Sequence, residues 1–481
     1  MVIKQYVVVI ALLVACKGAD KAPGSPTASG SGSATGSGSA GDPWAGKPPR
    51  TTPETPEEKK KRAEVALARV ASIMPKLAKV RELTFDHDIP REYQTTEDFK
   101  TFVHAEISKE MPKDKAADES AALFHIGLLT KPGNLAELEE QAFTTQAGAY
   151  YDPAKKKFFL VMVPDNDIML DTISAHELTH GLQDQHFNLQ KFMPENDKSL
   201  DDDHQSARRF VAEGDATFTM FLYAVAAMTN KAITPEMIKA MHNQLDDFAK
   251  TSPEDMIKQN AAGFGASMDP EIKKSIDAMN DIPLTVLIPM IDSYTQGAGL
   301  VATAYDHGGW AGVNALYTEP PESTEQALHP ATKMYPTRDR PKLVAINIPS
   351  EKPEYEVANL VLGELQWQVY FQLWLPAQRT IASEGWGGDR VTVIKRGDGR
   401  LVARIATAWD SEQDATEFAQ AFTASLKARL PKGSGDPTKG FDRGDGAGKI
   451  FLKQTGANVL IVDGADDAAW LADLVKATTV K

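Results

Sequence analysis

The chain has 481 residues, of which 42% are hydrophobic and 25% are charged, so it can build a large folded core. Its formal net charge of -14 argues against nucleic acid or anionic lipid headgroups as general partners, because both are negatively charged. The chain contains one cysteine, Cys16, which excludes an intramolecular disulfide as a source of stability.

Residues 1–16 have the pattern of an export signal. A lysine precedes an apolar stretch from Tyr6 to Ala15 that is too short to span a bilayer, and small residues come before Cys16. Leu13-Val14-Ala15-Cys16 resembles a bacterial lipobox, and this resemblance implies cleavage before Cys16 and lipidation of that cysteine. We therefore expect a lipid-anchored protein of the bacterial cell envelope, on the periplasmic side or at the outer-membrane or cell surface.

Residues 16–56 are predicted to form a flexible tether, because the tract 24–41 lacks the large apolar side chains that folding requires. Such a tether holds the folded part away from a membrane. Short elements are predicted between the tether and residue 146. They are a helix Glu57–Lys79, a strand Leu83–Phe85, a helix capped at Thr95, and helical segments from Ala117 to Gln146 that are interrupted at Lys131–Asn134.

A turn at Tyr151-Asp152-Pro153 and a strand from Phe158 to Val163 precede the motif His176-Glu177-Leu178-Thr179-His180. Two histidines four apart on a helix share one face, so both imidazoles can reach one metal ion. Glu177 lies about 100° round the helix and can take a proton from a metal-bound water. The flanking residues are uncharged, which indicates a buried helix whose ionisable groups need a partner such as a metal. The alternative is a surface helix that carries these residues by chance.

Catalytic zinc takes three protein ligands, so a third is expected. Glu213 is the first candidate, because a helix that begins at Asp201–Asp203 would place it at the entry to the core, beside a glycine that permits close packing. Its alternative role is an ion pair with a neighbouring arginine. His186 has the spacing of another class of zinc peptidases, in which a glycine occupies the position of Gln183. On a continuous helix, His186 lies about 280° round the axis from His176 and so points away from the metal.

These residues resemble the gluzincins, which are zinc peptidases with HExxH on one helix and a glutamate ligand on the next. From residue 80 to its end, the chain resembles a group of exported bacterial proteins of that class. The motifs that carry this resemblance are Tyr151-Asp152-Pro153, His176–Phe187, Glu213–Ala216, Ser323–Pro330 and Gly385–Arg390. The resemblance implies a zincin-like core with zinc held by His176, His180 and Glu213. Better-known gluzincins orient a histidine with an aspartate four residues after the glutamate; Thr217 stands there, so that role is unfilled or falls to Asp215.

Two residues are candidates for stabilising the negative charge that develops on the carbonyl oxygen during peptide hydrolysis. A histidine or tyrosine commonly does this beside the zinc. His329, within Ser323–Pro330, is the first candidate, and Tyr294 is the second. The alternative for His329 is a structural pair with Glu325, four residues earlier on a helix that Pro330 ends.

The later part of the chain is predicted to change character twice. Residues 230–290 form a helical insertion that could cover the cleft, with a helix that starts at Thr234-Pro235-Glu236. A long apolar helix Glu356–Leu375 follows the catalytic part. Two strand-strand-helix units then complete the chain: strands Arg390–Ile394 and Leu401–Ala406 with a helix Ser411–Leu430, and strands Lys449–Leu452 and Asn458–Val462 with a final helix.

The predicted fold class is therefore α+β and mainly helical. It combines a zincin-like metallopeptidase core, with an edge strand beside the metal helix, and a small C-terminal α+β layer. The predicted divisions are a signal peptide (1–15), a tether (16–56), a zinc metallopeptidase-like domain (57–345) and a C-terminal α+β domain (346–481).

The predicted function is that of a membrane-anchored zinc peptidase with a peptide or protein substrate and no nucleic-acid partner. His176, His180 and Glu213 hold Zn²⁺, and Glu177 activates the bound water. The rival hypothesis is a non-catalytic surface binding or assembly lipoprotein on a zincin scaffold, since fold does not fix function. The presence of Glu177 favours the enzyme, because a binding protein has no need of the base.

Overall fold

A computed structural model describes residues 6–9, 54–164, 166–194, 197, 199–249, 278–348 and 355–481. Cys16, most of the predicted signal and tether, and residues 250–277 of the predicted insertion lie outside the described residues. The described part is α+β and mainly helical, as predicted. None of its helices has both the length and the apolar character needed to cross a membrane.

The helices in the described part are α1 (Pro56–Arg81), α2 (Thr96–Glu110), α3 (Lys113–Ile126), α4 (Leu135–Gln146), α5 (Asp167–Phe187), α6 (Leu189–Phe192), α7 (Asp202–Thr229), α8 (Pro235–Ala249), α9 (Leu284–Ala315), α10 (Thr324–Leu328), α11 (Gly363–Trp374), α12 (Glu412–Arg429) and α13 (Ala469–Ala477). A π-helical turn, Pro330–Met334, follows α10.

The strands are β1 (Tyr6–Val9), β2 (Arg91–Tyr93), β3 (Ala147–Asp152), β4 (Lys157–Leu160), β5 (Val344–Ile346), β6 (Tyr355–Leu360), β7 (Trp386–Lys395), β8 (Leu401–Trp409), β9 (Ser434–Asp436), β10 (Gly440–Asp442), β11 (Lys449–Thr455), β12 (Asn458–Ala465) and β13 (Thr478–Val480).

Capping side chains set several helix starts where the sequence predicts them. Thr95 accepts a hydrogen bond from the backbone N–H of Asp98 at the start of α2, and Ser411 forms a reciprocal capping box with Asp414 before α12. Asp201 likewise accepts from the backbone N–H of His204 before α7. These starts were predictable because a cap is a local feature of the sequence.

Two local predictions were wrong. Residues Leu83–Phe85 form no strand; the nearby strand is β2, which pairs in parallel with β4. The helix predicted from Glu356 begins only at Gly363, and Tyr355–Leu360 instead pairs antiparallel with β7. Gly363 has a φ of 70°, a left-handed conformation that separates the strand from the helix. Pairing with β7 makes the first part of the predicted helix a strand. Local propensity does not reveal this pairing, because β7 comes later in the chain.

A four-stranded sheet lies against the helix that carries the HExxH motif. Its strand order is β1-β3-β4-β2. Strands β3 and β4 form an antiparallel hairpin, and β1 runs antiparallel along the outer edge of β3, with Tyr6 opposite Tyr151. The predicted strand at Phe158 is β4, which ends at Leu160 rather than Val163. It lies between β3 and β2, so it is an interior strand of the described sheet and not the predicted edge strand.

Helices α7 and α9 pack at very close range behind α5. A Cβ atom placed on Gly214 would lie 2.1 Å from the carbonyl oxygen of Gly297, so the two backbones are in direct contact. Only glycine at both positions permits this approach. The contact fixes the backbone next to Glu213.

Gly214→Ala is expected to lower the free energy of unfolding by about 1–3 kcal/mol, because the added methyl group meets backbone rather than a movable side chain. Gly299→Ala is the matched control: it lies on α9 too, and its Cβ would have no heavy atom within 4 Å. That change should be neutral or stabilising by up to about 1 kcal/mol. Urea denaturation of the two variants measures the difference, and equal losses would contradict the close approach.

The C-terminal part is built on an antiparallel sheet of seven strands in the order β6-β7-β8-β12-β11-β10-β9. Helices α11 and α12 cover one face, where Trp367 and Trp409 contact Phe418. Helix α13 covers the other face, where Leu474 belongs to a buried cluster with Val402. The predicted domain limit at residue 345 falls inside β5, which pairs with β13.

Candidate metal centre

The HExxH motif lies on a helix that is buried along most of its length. Asn166 caps α5 by accepting hydrogen bonds from two backbone N–H groups, and the helix continues unbroken to Phe187. His176, Glu177 and His180 each have 0% of their surface exposed. The prediction that this helix is buried is confirmed, and the alternative of a surface helix is excluded.

Three ligand-type side chains converge between α5 and α7. His176 Nε2 lies 3.2 Å from Glu213 Oε2, His180 Nε2 lies 3.4 Å from the same oxygen, and the two Nε2 atoms are 3.1 Å apart. These three residues form a group whose ligand atoms could hold one metal ion. Glu213 therefore reaches the histidines directly instead of pairing with a neighbouring arginine.

The spacing of these atoms matches that of zinc ligands. Two atoms bound tetrahedrally to one zinc at about 2.0–2.1 Å lie about 3.3–3.4 Å from each other. The three observed separations of 3.1–3.4 Å fall close to this value. Two histidines and a glutamate also make one of the ligand sets used by catalytic zinc sites, which keep a further position for water. The residues present thus fit zinc in donor type and in spacing.

The electrostatics keep His176 and Glu213 in the protonation states that metal binding needs. Burial lowers the pKa of His176 to about 4, so its imidazole is neutral at neutral pH. Burial alone would raise the pKa of Glu213, but the adjacent His180 and His176 lower it to about 2, so this carboxylate is ionised. A neutral imidazole and an ionised carboxylate are the metal-binding forms.

Gln183 orients one of the histidines. Its side-chain N–H group donates to the backbone carbonyl of Ala212 at 2.9 Å and to Asp215 at 3.3 Å, which turns its Oε1 towards His180. That oxygen lies 2.8 Å from His180 Nδ1, which must therefore be the donor. The proton is thus on Nδ1, and the Nε2 lone pair is directed at the candidate metal position.

A buried ion pair holds Gln183 in turn. Asp215 accepts from Arg81 Nε at 2.7 Å and from the hydroxyl of Tyr317 at 2.8 Å. The side chains of Arg81 and Asp215 are both 0% exposed. Asp215 is therefore connected to His180 by two hydrogen bonds, through Gln183. The sequence left open whether Asp215 or no residue orients a histidine, and this path is consistent with Asp215.

Asp215→Asn is expected to lower the free energy of unfolding by about 3–5 kcal/mol, because it leaves the buried guanidinium of Arg81 without its counter-charge. Asp171→Asn, at the α1–α5 contact, is the control: its partner Arg69 has a side chain that is 39% exposed. Solvent screens that pair, so the control should lose no more than about 1 kcal/mol. Urea denaturation of both variants tests this, and similar losses would show that burial does not set the strength of the Arg81 pair.

Glu177 is hydrogen-bonded to the four-stranded sheet and is not one of the three clustered side chains. Its Oε2 accepts a hydrogen bond from the backbone N–H of Tyr151 in β3 at 2.8 Å. The same helix therefore presents two ligands and, between them, a carboxylate oriented by the adjacent strand. In zinc peptidases with the HExxH motif, the glutamate at this position is the general base.

The structure places Tyr294, rather than His329, against the ligands. The Tyr294 ring lies 5.6 Å from the His176 ring, centroid to centroid, and the residue is buried. Burial, followed by the charges of Glu213 and Glu177, raises its pKa well above the usual range, so its hydroxyl keeps its proton. His329 Nε2 instead lies 2.8 Å from Glu364 on α11. Glu364, rather than the anticipated Glu325, is therefore its hydrogen-bond partner.

His186 points away from the three ligands. It is exposed, and its Nε2 contacts the backbone carbonyl oxygen of Thr84 at 2.7 Å. Because α5 continues through Gln183, the sharp exit that would bring His186 to the metal does not occur.

Comparison with known proteins identifies one region outside the metal centre. A family model described as a domain of unknown function (DUF8575) matches residues 353–474. No curated protein and no solved structure matches the chain. The matched range contains β6–β12, α11 and α12, whereas the candidate ligands lie between residues 176 and 213. The family match does not include the candidate ligands, so their assignment rests on the distances between their atoms.

Two of the motifs noted in the sequence make buried contacts at the ends of helices. Asp203 on α7 accepts hydrogen bonds from the backbone N–H of Thr324, in the Ser323–Pro330 motif. Asp389, in Gly385–Arg390, accepts from the backbone N–H groups of Leu362 and Gly363 at the start of α11. These contacts give both motifs a structural role, because they satisfy backbone donors at buried element ends.

Proposed function

We propose that this protein is a zinc-dependent peptidase of the gluzincin type. The observation that carries the proposal is the ligand group His176, His180 and Glu213, whose atoms have the mutual spacing of zinc ligands. A bare HExxH match on a buried helix would be weaker support, because it would lack the third ligand. The orientation of His180 by Gln183 adds a feature that zinc sites share.

The chain's own residues supply the remaining parts of a hydrolytic mechanism. Zinc, when bound, acts as a Lewis acid and lowers the pKa of a bound water to about 7. Glu177, held by the backbone N–H of Tyr151, accepts the proton of the attacking water and delivers it to the leaving amine. Tyr294 keeps its hydroxyl proton and donates a hydrogen bond to the carbonyl oxygen as negative charge develops there.

The sheet beside α5 supports a peptide as the substrate. Residues Tyr6–Val9 pair antiparallel with the outer edge of β3, so this edge accepts an extended chain. Tyr151, opposite Tyr6, is the residue whose N–H holds Glu177. A peptide bound along this edge would therefore lie beside the proposed base.

The resemblance of residues 1–16 to an export signal with a lipobox supports a location in the bacterial cell envelope, where Cys16 would carry the lipid anchor. The enzyme would then act on peptides or proteins near a membrane surface. The tether up to residue 56 would set the distance that it can reach.

The test combines metal analysis with a substrate screen. The purified chain is expected to contain zinc near one atom per molecule by elemental analysis and to cleave members of a mixed peptide library. If the zinc-loaded protein cleaves no member of the library, the binding or assembly hypothesis takes precedence. Absence of zinc binding would contradict both the ligand assignment and the proposed activity.

A further inference from the structure

Glu139, on α4, is a buried carboxylate outside the metal centre. The residue is 3% exposed, and its Oε2 has no hydrogen-bond partner among the described residues. Burial raises the pKa of Glu139 to about 7, so the carboxylate is only partly ionised at neutral pH. A buried acceptor without a partner is costly, and a cationic ligand beside it would remove that cost.

Glu139 lines a pocket between α4, α7, α9 and the segment that leads into α11. The wall is largely apolar, with Phe210 and Met290 among its members. Its charged members are Glu139, Asp202 and Arg209, so two carboxylates face one guanidinium. The pocket therefore has an apolar lining and more carboxyl groups than cations, which favours a cationic group attached to an apolar stem.

This pocket adjoins the metal centre along two helices. On α7, Arg209 lies one turn before Glu213, and on α9, Met290 lies one turn before Tyr294. Four residues of α-helix correspond to a rise of about 6 Å. The charge of Arg209, which lines the pocket, acts on both Tyr294 and Glu139, so the pocket and the metal centre share a charged neighbour. An extended peptide advances about 3.3 Å per residue, so the pocket is about two residues from the bond to be cleaved.

The buried Oε2 of Glu139, which has no hydrogen-bond partner among the described residues, favours a compact cation. A guanidinium presents a fork of donors that suits two acceptor oxygens, whereas an ammonium is a compact charge that one oxygen can bind. From this pocket we infer a substrate subsite, resting on the proposed peptidase function, in which Glu139 binds an ammonium group within about two residues of the cleaved bond. That group is the α-ammonium of the peptide or the side chain of a lysine.

Matched peptides distinguish these two sources. One pair has the same sequence with a free or an acetylated N-terminus, and a second set carries lysine or acetyl-lysine at each position around the cleaved bond. Acetylation keeps the length of the group and removes its charge. The cleavage efficiency, kcat/KM, is measured for the full chain in its zinc-loaded form, for Glu139→Gln and for Glu119→Gln. Glu119 is a buried glutamate on α3 whose charge acts on Glu139 but which does not line the pocket, so it controls for the loss of a nearby negative charge.

We expect the wild type to prefer the charged member of one set by at least about ten-fold, as for other charge-assisted hydrogen bonds. Glu139→Gln should lose that preference, and Glu119→Gln should keep it. The set that shows the preference identifies the source of the ammonium. Equal rates for charged and acetylated peptides, or a preference that survives Glu139→Gln, would overturn the subsite while leaving the peptidase proposal intact.

Peptide binding separates failure of the subsite from failure of the enzyme. If the wild type cleaves none of the peptides, fluorescence anisotropy of the same labelled peptides gives their affinity for the zinc-loaded chain. A preference for the charged peptide that Glu139→Gln removes would then support the subsite in a binding protein. Absence of binding, or equal binding of charged and acetylated peptides, would refute it.

Discussion

Glu177→Gln is expected to retain zinc and to lose peptide cleavage by about 10²- to 10⁴-fold, the usual contribution of a positioned general base. Glu177 is not one of the three clustered ligands, so zinc content should stay near that of the wild type. The glutamine side-chain oxygen can still accept the hydrogen bond from the backbone N–H of Tyr151. Geometry is thus preserved while the ability to take a proton is lost. Elemental analysis and kcat/KM for a cleaved library peptide measure the two properties.

Asp184→Asn is the matched control for this change. Asp184 is another buried carboxylate on α5, about two turns further along the same face, and it accepts a hydrogen bond from the Tyr151 hydroxyl at 2.8 Å. Its loss should reduce stability and leave kcat/KM within a few-fold of the wild type, because it lies outside the ligand group. If Glu177→Gln cleaved at the wild-type rate, another group would have to be the base. If both variants lost activity equally, the effect would be structural.

Much of the candidate site was predictable from the sequence because its signals are local. Residues four apart on a helix share a face, so His176 and His180 had to converge if α5 formed. The cap at Asp201 set the start of α7 and hence the position of Glu213 on that helix. The uncharged residues around the motif also indicated burial, and each of the two histidines has 0% of its surface exposed.

Features that depend on a distant partner were harder to predict. From the sequence, Gln183 was considered only because it replaces a glycine of another zinc-peptidase motif. Its contact with His180 was missed, although residues three apart on a helix are neighbours and that spacing was a usable signal. His329 was ranked above Tyr294, but it is Tyr294 that lies against His176, while His329 contacts Glu364. The position of α9 beside the candidate ligands depends on tertiary packing, which leaves no local pattern in the sequence. Strand β6 was taken for helix for the same reason: its hydrogen-bonding partner, β7, lies more than twenty residues away.

Glu213→Ala is expected to cause the largest loss of zinc among single substitutions outside α5. It removes one of three ligands and leaves His176 and His180 facing each other at 3.1 Å. Gln183→Ala should cost about 10- to 100-fold in zinc affinity, as is typical when the partner that orients a ligand is lost. The loss in Glu213→Ala should exceed that range. His186→Ala should bind zinc like the wild type, because its imidazole contacts the carbonyl of Thr84 instead.

The order of the three effects tests the ligand set more stringently than any one variant. Competition with a chelator of known zinc affinity gives each value, and circular dichroism shows whether each variant is folded. The reverse order, with zinc lost in His186→Ala and kept in Glu213→Ala, would assign the third ligand to the near histidine and require α5 to end early. If Glu213→Ala folded and bound zinc with wild-type affinity, Glu213 would not be a zinc ligand. Its short contacts with the two histidines would then be hydrogen bonds from protonated imidazoles. A graded loss would show that Gln183 acts on zinc through the orientation of His180, which it contacts.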